Sequence, residues 1–119
     1  MSIPTSIKVG PYHYGVEFNE SKIRELEHER EHSYSGYTDH TKLMIYLDPK
    51  MAEDQRAETL WHEVKHAVCK LFHWDRKLTE EEAIRRTAPM ELAVLRENPI
   101  LAQCLLDTAG RADAQTQSP

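Results

Sequence analysis

Ala57-Glu58-Thr59-Leu60-Trp61-His62-Glu63-Val64-Lys65-His66-Ala67-Val68-Cys69-Lys70-Leu71-Phe72 carries two patterns in one stretch. Ala57, Leu60, Trp61, Val64, Ala67, Val68, Leu71 and Phe72 recur at helical spacing and form a wide apolar stripe. At about 100° per residue that stripe centres near Val64, and His62 and His66 fall on the opposite side. The segment therefore reads as a helix with one face for a core and another for a site.

His62-Glu63-Val64-Lys65-His66 is an H-E-x-x-H string. Four residues at about 1.5 Å rise set the two imidazoles one turn apart on one face, where both reach a single metal. Glu63 lies about 100° round the helix, beside the pair, where a carboxylate can take a proton from a water at the metal. The chain holds a second such string, His28-Glu29-Arg30-Glu31-His32. Its neighbourhood, Glu25 to Ser33, offers only Leu26 as an apolar residue, so it reads as a solvated charged face.

A catalytic zinc site takes a third protein ligand and leaves a fourth position to water. His73 is too far along the same helix. A chain reversal over Trp74 to Leu78 brings the acidic cluster Glu80-Glu81-Glu82 beside the histidines. Thr79-x-x-Glu82 is a capping-box pattern, which gives Glu82 a structural task. With Ile84, Ala88, Leu92 and Leu95 as the inward stripe of the following helix, Glu81 falls within about 20° of its centre and is the expected third ligand. A carboxylate on a buried face needs a partner, and a zinc ion supplies one. Cys69 shares the face of His62 and His66 and reads as a small packed cysteine, while Tyr37 and His40 read as surface or packing residues.

The run Gly36-Tyr37-Thr38-Asp39, Ile45-Tyr46-Leu47-Asp48, Glu58 to Val68, Glu81 and Asn98-Pro99 resembles the small zincin-like metallopeptidases of phages and prophages, relatives of the ImmA/IrrE-like group. The resemblance spans roughly residues 6 to 107. It implies Zn2+ held by His62, His66 and Glu81, with Glu63 as general base. It further implies hydrolysis of a peptide or protein substrate, such as a repressor or another phage or host protein. Lys65 departs from the pattern, since such motifs usually carry an apolar residue there.

The rest of the chain fits one soluble domain over residues 1–110 with a disordered tail over 111–119. A net charge of −5 gives no electrostatic reason to expect nucleic-acid binding. No apolar run approaches a membrane span and no signal segment opens the chain, so a cytoplasmic protein is expected. Cys69 and Cys104 stand far apart and make no disulfide framework.

Ile7 to Val9, Gly10-Pro11 and Tyr12 to Phe18 read as a β-hairpin, and Asn19 as the cap of a short polar helix reaching about Glu31. Tyr34 to Thr38 and Leu43 to Leu47 read as strands, the latter as the edge beside the cleft. Helices are expected from Glu53 to Phe72, from Glu80 to about Arg96 with a kink or break at Pro89, and after Asn98-Pro99. The fold class is α+β: a small antiparallel or mixed sheet of about four strands packed against the H-E-x-x-H helix and C-terminal helices, in the zincin manner.

Overall fold

The computed structural model describes residues 3–30, 35–72 and 78–107. Strand β1 (Ser6–Val9) turns through Gly10-Pro11 into β2 (Tyr12–Phe18), forming the expected antiparallel hairpin. Gly10 sits at φ +59°, and a Cβ there would come within 2.8 Å of Leu71 Cδ1. A left-handed turn pressed against a helix leaves room only for glycine. Helix α1 (Glu20–Arg30) follows, with Asn19 Oδ1 accepting the Lys22 N–H at 2.9 Å as its cap. Its polar composition does not leave it unpacked: Ile23 and Leu26 are buried and α1 lies against the sheet at β4.

Strands β3 (Gly36–Asp39) and β4 (Met44–Leu47) are joined by a turn that Asp39 organises, its Oδ1 accepting the N–H groups of Thr41 and Lys42 at 3.0 Å each. The sheet order is β1-β2-β4-β3, with β2 and β4 parallel and the outer pairs antiparallel. This is the mixed four-strand sheet anticipated, with one correction. β4 is an interior strand and β3 is the edge. Ile45, Tyr46 and Leu47 are buried in succession, as a strand covered on both faces requires.

Helix α2 (Glu53–Leu71) crosses the sheet and buries Ala57, Leu60, Val64, Ala67 and Val68 along the predicted stripe. Ile7, Val9, Tyr14, Ile45 and Leu47 meet it from the sheet, and Val94 and Leu101 close the core from the C-terminal helices. Helix α3 (Glu80–Glu97) begins with the capping box in the expected register: Thr79 Oγ1 accepts the Glu82 N–H at 3.2 Å and Glu82 Oε2 accepts the Thr79 N–H at 3.3 Å. Residues 99–107 form α4.

The stripe expected to face inward on α3 does not. Ile84 and Leu92 are 51% and 47% exposed, and the buried positions are Ala83 and Val94, with Thr87 and Met90 half-buried. That face is turned about 130° from the predicted one. Two polar contacts accompany this orientation. Glu91 Oε1 meets Lys65 Nζ of α2 at 3.3 Å, and Asn98, just past the helix end, is fastened to β1. Its side-chain amide accepts the Lys8 N–H at 2.8 Å and donates to the carbonyls of Lys8 at 2.8 Å and Val94 at 2.7 Å. Pro89 neither breaks nor ends the helix. It lies on the exposed side, where the carbonyl its missing N–H leaves free faces solvent. Among the described residues no helix is long and apolar enough to cross a membrane. The expected tail over 111–119 and the connection over 73–77 lie outside the described residues.

Candidate metal centre

Edge strand β3 and helix α2 line a cleft of about 680 Å³. His62 and His66 stand on the exposed face of α2, and their Nε2 atoms face each other at 3.2 Å. Two nitrogens bound to one tetrahedral ion at about 2.0–2.1 Å stand about 3.3 Å apart, so the pair is already spaced as zinc ligands. The Glu63 carboxylate completes the group, with one atom from each of the three residues lying within 4.8 Å of the others. This donor set, two imidazoles and a carboxylate, fits a divalent metal ion.

Unlike the histidines, Glu63 is only 6% exposed. A buried carboxylate is costly unless hydrogen-bonded, and β3 supplies the partner. Thr38 Oγ1 lies 2.8 Å from Glu63 Oε1 and 3.1 Å from the Glu63 carbonyl oxygen, so its single hydroxyl proton ties the side chain to both acceptors. Gly36, two residues back on the same strand face, leaves space for the rest of the side chain. A Cβ at Gly36 would stand 3.0 Å from Thr59 Cγ2, 3.2 Å from Glu63 Cγ and 3.3 Å from Glu63 Oε2. One strand thus both anchors the acid and makes room for it.

The other sequence expectations divide. Glu81 is not part of the group: it lies in the exposed first turn of α3, its side chain 74% accessible and its Oε1 3.4 Å from Arg85 Nη2. Lys65 points to the α3 flank, to Glu91, and so its charge is neutralised away from the histidines. Cys69 is a free, half-buried thiol outside the group, and burial together with nearby Glu91 raises its pKa while Lys65 opposes. Of the first H-E-x-x-H string, His28 and Glu29 are exposed at the end of α1, while Glu31 and His32 lie outside the described residues.

Two residues of the site go unread in the sequence, and a third is read without a place in it. Thr38 and Gly36 carry no signal of their own, because their roles come from contacts with a helix distant in sequence: Thr38 stands 25 residues before Glu63. His40, read as a surface or packing residue, also lines the cleft beside His66. Its Nδ1 is 3.1 Å from the Tyr14 hydroxyl. Burial, with Lys70 and His66 nearby, holds its pKa below the usual imidazole value, against the opposing pull of Asp39.

No protein-family model, no curated protein and no solved structure matches this chain. The metal group and the α+β architecture are therefore the ground for any functional reading.

Proposed function

We propose that the chain is a zinc-dependent metallopeptidase of the zincin-like kind found in phages and prophages, acting on a peptide or protein substrate. The observation that carries the reading is Glu63: a buried acid, fixed by Thr38, beside two imidazoles spaced for one ion. A site built only to hold metal has no need of an anchored base. His62 and His66 are the ligands from α2, and Glu81 is the proposed third, since Glu82 is committed to the capping box. Bound zinc supplies Lewis acidity and lowers the pKa of water at the site to about 7.

The remaining work falls to the chain. The Thr38 hydroxyl occupies Glu63 Oε1, and Oε2, which accepts no hydrogen bond among the described residues, is the atom left to receive the proton of the attacking water. Glu63 then returns that proton to the leaving nitrogen. The free edge of β3 holds an extended peptide by strand addition along the cleft.

Metal analysis and a peptide-cleavage screen test this together. The purified protein should carry one zinc per chain, lost on His62→Ala or His66→Ala. Glu63→Gln should keep the zinc and lose hydrolysis by about 10² or more. Native turnover by Glu63→Gln would remove the catalytic assignment. A second reading, a non-catalytic metal-binding interaction module, is favoured by one observation: Glu63 itself lies within ligand range of both imidazoles while Glu81 stands apart. In that case Glu63→Gln weakens zinc binding instead.

A further inference from the structure

The cleft is lopsided about the two histidines. Its lining advances along β3 from Ser35 to His40 and along α2 from Gln55 to His66, so the metal group stands toward one end. Beyond His66 the helix continues, and Ala67, Lys70 and Leu71 line a second cavity of about 370 Å³ with Tyr12, Tyr14 and Leu43 of the sheet side. His40 borders both cavities, so the second lies next to the first.

The second cavity has a distinct chemistry. Among the described residues its lining is mostly aromatic and aliphatic, with Tyr14 and Ala67 buried and His40 and Thr41 beside them, and includes no carboxylate. Among the described residues Lys70 is the single ammonium group lining it; it is exposed at the rim and forms no ion pair with any of them. A cation at the rim of an apolar pocket is complementary to a ligand that brings both an apolar stem and a negative charge. The reach agrees. Lys70 is one turn past His66, about 6 Å along the helix, and an extended peptide advances about 3.3 Å per residue.

We propose that this second cavity is a specificity subsite for a carboxylate one or two residues from the bond held at the metal group, its charge on Lys70 and its stem against Tyr12, Tyr14 and Leu71. The proposal rests on the peptidase reading. The carboxylate is either the free C-terminus of the peptide or an aspartate or glutamate side chain, and Lys70 reads both alike.

Binding to zinc-loaded Glu63→Gln protein, which holds peptide without consuming it, tests the subsite. One pair of probes is an N-acetylated tripeptide ending in phenylalanine, as free acid and as amide. The other is a doubly blocked tetrapeptide containing glutamate, beside its glutamine counterpart. At least one charged probe should bind about tenfold tighter than its neutral partner, as expected for a charge-assisted contact. The pair that shows the difference names the source of the carboxylate. Lys70→Gln should erase the preference and Lys70→Arg should keep it. Equal binding of charged and neutral probes, a preference that survives Lys70→Gln, or no binding by any probe would each overturn the proposal. Zinc content and turnover by the native protein are read separately. A retained carboxylate preference without zinc or cleavage would defeat the peptidase reading and leave the subsite standing.

Discussion

Replacing Thr38 with valine removes one hydroxyl and almost no volume. That hydroxyl sits 2.8 Å from Glu63 Oε1 and 3.1 Å from the Glu63 carbonyl, in a place where Thr38 is 8% and Glu63 6% exposed. Hydrogen bonds to a charged group contribute about 1.5–3 kcal/mol, and the loss here is at the full figure because the orphaned oxygen has little access to water. For a domain of this size that is a fall in Tm of roughly 6–20 °C. Thermal and urea denaturation of metal-free protein at neutral pH should find it, with Thr38→Ser retaining most of the stability. A double-mutant cycle with Glu63→Met, which keeps the volume and removes the acceptor, isolates the contact and should give a coupling above about 0.5 kcal/mol, as touching groups do. If Thr38→Val melts with the native protein, or if the two changes simply add, Thr38 does not hold Glu63 and the account of the buried base is wrong.

Gly36→Ala places a methyl 3.0–3.3 Å from Thr59 and Glu63, and overpacking of that order should cost about 1–3 kcal/mol in denaturant melts. In a zinc titration Glu81→Ala should weaken binding by orders of magnitude. Glu82→Ala should cost about 1 kcal/mol or less of stability and leave affinity unchanged; the reverse outcome moves the third ligand by one residue. At Asp48, burial pushes the carboxyl up, but the Lys50 N–H and the Arg24 guanidinium at 2.7 Å outweigh it and leave the pKa below its ordinary value. A lowered acid contributes stability that is present above the unfolded pKa of about 4 and is lost as pH falls below it. Asp48→Asn should therefore flatten the acid limb of a stability-against-pH curve and leave its neutral limb uniformly lower.

Local chemistry was legible in the sequence and tertiary choice was not. Asn19, Thr79 and Glu82 cap their helices as read, because a cap involves residues three apart and nothing else. The α2 stripe was legible because eight apolar positions agree on one face. On α3 two faces are apolar enough, and the one that buries Ala83 and Val94 packs toward α2 and β1, a tertiary partner that periodicity cannot see. The edge strand was misread although a signal was present: Met44-Ile45-Tyr46-Leu47 is apolar without alternation, the mark of a strand covered on both faces, while Gly36-Tyr37-Thr38-Asp39 is not. Thr38, Gly36 and His40 belong to the site only through that topology.

Asn98 has a bearing on how the protein is made. β1 leaves the ribosome early with one side of its backbone open, a template on which another nascent chain can pair. The amide that occupies Lys8 on that side arrives 90 residues later. Throughout that interval of synthesis the hairpin must survive on its own shortness and on the charge of Lys8, and a truncated transcript ending before residue 98 would release a chain whose sticky side is never closed.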